Sequence, residues 1–143
     1  MPVPKPGIDK EKDLLAPVSR YAKRKGFTLQ CAELPFFDYR IDLYALSKPT
    51  GYTIAIELKI KNWRRALHQA LIYQLCSDYV YIAVPLDNAR LVSMEELAKH
   101  GIGLIAVGPD KRCRMNLDAV KSSEVREYYR RPYIDYLASV PDA

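Results

Sequence analysis

The chain has 143 residues, 49% apolar and 27% charged, with a formal net charge of +5, the composition of an ordinary globular chain rather than a disordered one. That length suits one domain with a core large enough to need no disulfide or metal staples. No apolar run approaches the roughly 20 residues of a membrane span, MPVPKPGIDKEKD lacks the apolar centre of a signal peptide, and Cys31, Cys76 and Cys113 form no CxxC pair, so the expectation is a cytoplasmic protein with reduced thiols and no zinc site.

In chain order, residues 1–8 hold three prolines and a glycine and predict a mobile tail. A helix follows from about Asp9 to Lys25, with Leu14, Val18 and Tyr21 on one face and Gly26 at the C-cap position. Pro17 should kink this helix or split it in two. A strand is expected from Phe27 to Glu33. FFDYRIDLYAL and YTIAIELKI flank the turn SKPTG, which is a strong hairpin signal.

RRALHQALIYQL reads as a helix capped by Asn62, and YVYIAVP as a buried parallel strand. SMEELAKHG is a short helix between Ser93 and Gly101, and IGLIAVG is a further buried strand. The remainder, 109–143, is basic and tyrosine-rich and should include a helix ending near Pro132. A meander feeding β-α-β crossovers implies an α/β fold, a mixed central sheet with helices on both faces.

Basic residues cluster at Lys23–Lys25, Lys59–Arg65, Lys111–Arg114 and Arg126–Arg131, a distribution compatible with a polyanionic partner. Strand alternation puts Ile54, Ile56 and Leu58 on one face and Thr53, Ala55, Glu57 and Lys59 on the other. It likewise separates Ile41, Leu43 and Ala45 from Arg40, Asp42 and Tyr44. Closing the hairpin sets Asp42 opposite Ile56 or Glu57 and gathers Asp42, Glu57 and Lys59 on one face. Two carboxylates so close repel unless a proton or a cation lies between them. Their oxygens, with the Leu58 carbonyl, suit a hard ion such as Mg, with Mn as an alternative. A Glu-x-Lys pair on a strand is commonly an ordinary ion pair; the Asp at hairpin register is what sets this one apart.

RID with Asp42, IELK with Glu57 and Lys59, and ALHQALIYQ in the next helix resemble the PD-(D/E)xK nuclease superfamily over about residues 9–108. That resemblance implies a restriction-endonuclease-like core of order α-β-β-β-α-β; the segment 109–143 lies outside it and is expected to be a C-terminal helix-turn extension packed on or next to the core. Ile41 stands where the name-giving motif has Pro. The resemblance further implies Mg-dependent hydrolysis of DNA phosphodiesters, duplex or branched, with Asp42, Glu57 and the Leu58 carbonyl on the metal and Lys59 orienting water or neutralising charge. Gln69 matches the polar residue of the following helix better than Gln74, and Glu11 matches the early glutamate better than Glu33.

Arg40, Lys61, Arg64 and Arg65 border this face and suit backbone phosphates. Cutting both strands would call for a homodimer. Trp63 and Tyr73 read as helix-to-sheet packing before base stacking, and His68 as a solvated helix position. The alternative is a silent fold acting as a DNA-binding or protein-interaction module.

Overall fold

The computed structural model describes residues 7–139. The tail expected over 1–8 therefore lies outside the described residues as far as Pro6, while Ile8 is half-buried against the core. A 3-10 turn, Glu11–Leu14, leads into α1, Leu15–Arg24. Pro17 thus falls in the first turn of α1, where its missing N–H would have no intrahelical acceptor. The predicted split happens one turn earlier, at the 3-10 junction. Gly26 and Gly101 both take positive φ, +98° and +73°, the left-handed conformation that ends a helix at little cost to glycine.

The strands are β1 (Leu29–Phe36), β2 (Tyr39–Leu46), β3 (Thr53–Leu58), β4 (Tyr79–Pro85), β5 (Gly103–Val107) and β6 (Cys113–Leu117). They lie side by side in that order in one sheet. β1, β2 and β3 form the antiparallel meander, β3, β4 and β5 run parallel, and β6 returns antiparallel to β5. The helices between them are α2 (Trp63–Tyr73), α3 (Leu86–Ala89) and α4 (Met94–Lys99), and α5 (Glu127–Ser139) follows β6. The protein is α/β, with a mixed six-stranded open sheet flanked by helices.

Topology dictates which face each helix covers. The crossovers from β3 to β4 and from β4 to β5 step the same way across the sheet, and right-handed connections then place both helices on one side. Ala66, Ala70 and Tyr73 of α2, Leu97 of α4 and Leu137 of α5 accordingly share one core layer with Ala55, Ile82, Val84 and Leu104. Leu14, Val18 and Ala22 of the first helical segment cover the other face, against Ile54, Ile56, Leu58 and Ile105. Leu14 and Val18 are fully buried, each contributing on the order of 1.5–3 kcal/mol of burial.

Segment 109–143 does more than lean on the sheet, since β6 extends it by a strand. The helix expected to end near Pro132 instead runs through it to Ser139. Pro132 removes one bond, to the carbonyl of Tyr128, whose residue is 83% exposed and open to water. Arg130 holds α5 down: its Nε and Nη2 donate to buried Asp78 Oδ2 at 3.1 and 2.9 Å, and Nη2 also donates to the Gly51 carbonyl. The same Asp78 oxygen accepts from Thr53 N and Oγ1.

Candidate functional site

The site forms where the β2–β3 ladder comes apart. The register pairs Leu43 with Ile56 and Tyr44 with Ala55, and one step further sets Asp42 against Glu57. There the side chain of Asp42 replaces the backbone: Leu58 N–H donates to Asp42 Oδ2 at 2.7 Å. The alternation of β2 reverses at this residue. Tyr44 and Leu46 pack on the α2 side and Leu43 and Ala45 on the α1 side, yet Ile41 also packs on the α2 side. The sequence expectation that Ile41 shares a face with Leu43 and Ala45 is corrected here.

β1 reverses at the matching point. Leu29 and Cys31 face α2, and so do Leu34 and Phe36, with Glu33 between them at φ +54°. The left-handed backbone of a non-glycine residue shifts the parity of the strand by one and bends the pair together.

Glu57 is buried, 5% exposed, and faces α2. Its Oε1 lies 3.0 Å from Tyr73 Oη, which also lies 3.1 Å from the Arg40 carbonyl. The phenol's single proton is shared between these two acceptors, and donation to Glu57 lowers that carboxyl. Larger effects outweigh it. Burial above all, then the Asp42 charge, pushes Glu57 up to about 8. Asp42 is raised as well, by burial, against the lowering pull of the Leu58 N–H. The two carboxyls are close enough to act on one another.

Lys59 leaves the strand end with its backbone N–H donating to the Ala83 carbonyl at 2.9 Å. Successive peptide groups of a strand alternate sides, so the Leu58 carbonyl points with its N–H toward Asp42. The Lys59 ammonium sits 3.5 Å from Glu11 Oε1, and its charge acts on both Asp42 and Glu57. The structure thus brings Glu11, Asp42, Glu57 and Lys59 together, drawn from the 3-10 turn, β2, β3 and the residue after β3.

Gln69 lies one turn before Tyr73 on α2, and its buried Oε1 has no hydrogen-bond partner, an unusual state for a buried acceptor. Gln74 is occupied elsewhere, donating to the His100 carbonyl at the end of α4. Glu33 stands across from Asp42 in the β1–β2 register with an exposed side chain.

Arg40, Lys61, Arg64 and Arg65 are all exposed, the last two in the first turn of α2, where Asn62 Oδ1 accepts the Arg65 N–H. Tyr73 is wholly buried, as the packing reading of that residue requires, and Trp63 is half-buried. His68 is exposed. Burial pushes the Cys76 and Cys113 thiols up to about 12 and 11, which leaves them no thiolate character at neutral pH. Sequence reading passed over Tyr73 as a functional group; a tyrosine four residues after Gln69 on the same helix face was the available signal.

Among the described residues no group of three or more His, Cys, Asp or Glu is arranged to hold a metal ion, and no helix is long and apolar enough to cross a membrane. No protein-family model matches the chain, and no curated protein matches it. Among solved structures, SPO1766 protein of unknown function from Silicibacter pomeroyi is similar to 91% of this chain over 85% of its own, with a TM-score of 0.68 and 21% identity. At that identity the likeness speaks for the fold alone.

Proposed function

We propose that this chain is a metal-dependent nuclease with a restriction-endonuclease-like core, hydrolysing DNA phosphodiester bonds at Asp42, Glu57 and Lys59. One observation carries the reading: two carboxyls are pressed together at a strand end, in an environment that raises both. Folding alone has little use for such a pair, since burial disfavours ionisation of both and the Asp42 charge disfavours that of Glu57. A divalent cation removes the conflict.

The donor set fits Mg or Mn. Asp42, Glu57 and the Leu58 carbonyl offer hard oxygens, and the small number of protein ligands is what Mg accepts, because it keeps several waters. The orphaned Gln69 Oε1 supplies an acceptor for one such water. When bound, the ion would activate water and stabilise charge on the phosphoryl group.

The remaining roles belong to the chain. Glu57 gives up its proton as the site loads. Lys59 places an ammonium beside the developing negative charge, and Glu11 holds that ammonium in position. Tyr73 fixes the Glu57 carboxyl, while Arg40, Lys61, Arg64 and Arg65 bind backbone phosphates.

A second reading has one observation behind it. Asp42 Oδ2 caps the Leu58 N–H, a structural task that would retain the aspartate in a silent binding module. Cleavage of labelled duplex, single-stranded and branched DNA with Mg or Mn separates the two. The nuclease reading expects cleavage by the natural chain and none by Asp42→Asn or Lys59→Ala. Binding without cleavage, equal in all three proteins, would favour the module.

A further inference from the structure

Beside Lys59 lies a cleft of about 210 Å³, walled by Lys59, Lys61, Trp63 and Leu91 over an apolar floor of Val84 and Val92. The floor residues are only 2% and 7% exposed. Leu91 at the rim is 62% exposed, an apolar side chain held in water beside an apolar cleft. Trp63 forms the partition between this cleft and the next one along α2, which is lined by His68, Glu96 and His100. The Arg64 guanidinium stacks on its ring at 4.6 Å.

The charge around the opening is one-sided. Lys59 and Lys61 line it and Arg64 lies over the ring of its Trp63 wall, within a stretch, residues 58–74, that carries no acid. α3 and the residue after it add one acid, Asp87, and one base, Arg90, and Glu11 pairs with Lys59. A polyanion is favoured here, and the aromatic wall and apolar floor ask for a flat, unsolvated group attached to it.

Two atoms of the lining amides are already bound: Asn88 Nδ2 donates to the Ile60 carbonyl at 2.7 Å and Asn62 Oδ1 accepts the Arg65 N–H. The aromatic wall and apolar floor suit the face of a ring.

We propose that this cleft receives one unpaired base of single-stranded nucleic acid, stacked on Trp63, with the phosphate next to it lying at Lys59. The inference rests on the nuclease reading only for what happens at that phosphate. It names the substrate class as a single strand, an overhang or a flap, with no preference among bases. An intact duplex is disfavoured, because its bases must be unstacked and unpaired before one can enter.

Trp63 is the only tryptophan in the chain, so its fluorescence reports on the cleft directly. The experiment titrates the full chain, with chelator present to prevent cleavage, with a short oligothymidylate, a mixed-sequence single strand and the matching duplex. The same titrations are run on Leu91→Asp, whose exposed position leaves folding intact, as checked by circular dichroism. The expected result is saturable quenching by both single strands, little by the duplex, and affinity weakened by about tenfold or more in Leu91→Asp, within the range of a base-stacking contact.

Quenching by duplex at equal affinity, no quenching by any strand, or binding unchanged in Leu91→Asp would each overturn the proposal, and quenching by apolar peptides alone would assign the cleft to a protein partner. A parallel cleavage assay with Mg keeps the two readings apart. Quenching without cleavage leaves the cleft standing and removes the nuclease; cleavage without quenching does the reverse.

Discussion

The Leu58 backbone N–H is bonded to the side chain of Asp42, at 2.7 Å, where a β-ladder would supply a main-chain carbonyl. One carboxylate therefore finishes the sheet and faces Glu57 at the same time. The two tasks come apart under substitution. Asp42→Asn keeps an acceptor and loses the charge, so it should fold with near-natural stability and abolish cleavage. Asp42→Ala leaves a buried N–H unpaired and should cost about 1–3 kcal/mol in urea unfolding. Equal stability of the two variants would remove the structural role.

Glu57 makes metal-free stability depend on pH. Its carboxyl ionises near 4.5 ordinarily and is raised to about 8 here, by burial first and Asp42 second. Between those values the folded chain holds a proton that the unfolded chain has lost, so raising the pH favours unfolding. The contribution is complete below 4.5, falls as pH rises through the window, and is gone above about 8. The loss should be on the order of a few kcal/mol, with Asp42, also raised, acting in the same sense. Urea unfolding at several pH values should show the slope, Glu57→Gln should flatten it, and added Mg should oppose it by binding the ionised form.

Tyr73→Phe removes the hydroxyl that touches both Glu57 and the Arg40 carbonyl. That hydroxyl lowers Glu57 against the larger upward pull of burial, so its loss should raise the carboxyl further. The expected outcome is about 1–2 kcal/mol of lost stability together with an alkaline shift of the pH–rate profile for cleavage. A stability loss with an unmoved profile would confine Tyr73 to packing.

Gln69→Met tests the orphaned acceptor. Because Oε1 has no partner within the fold, replacing it with an apolar side chain of similar length should leave stability unchanged or raised. Cleavage with Mg should fall by at least about tenfold if that oxygen positions water. A large stability loss would show that the amide serves the fold instead.

Arg130→Met addresses α5. The Arg130 and Asp78 side chains are 12% and 7% exposed, and removing one partner of a buried pair strands the other charge, at about 3–5 kcal/mol. Proteolysis between β6 and α5, over residues 118–126, should accelerate before the sheet itself becomes sensitive.

The hairpin was readable because a Pro/Gly turn sets the register of two strands whose apolar residues alternate, and that alone brings Asp42 to Glu57. The reversal at Glu33 and Asp42 was not. A period-2 pattern assumes that every residue stays extended, and Glu33 enters the left-handed region with none of the glycine or asparagine that announces it. Pro132 misled in the other direction. Proline discourages a helix interior by about 3 kcal/mol, but Tyr133 packing against Phe36 and Tyr44, and Leu137 in the core, hold α5 together across it. The Arg130–Asp78 tie joins residues far apart in the chain and leaves no local pattern to detect.

That tie has a consequence for the order of events at the ribosome. Glu11, Asp42, Glu57, Lys59 and Gln69 all emerge before Asp78, so the parts of the candidate site are synthesised first. Asp78 already accepts from Thr53 N and Oγ1, but the guanidinium that answers its charge lies 52 residues downstream. The strands can therefore pair before α5 is made, and the Asp78 end of the sheet gains its counter-charge only once α5 docks.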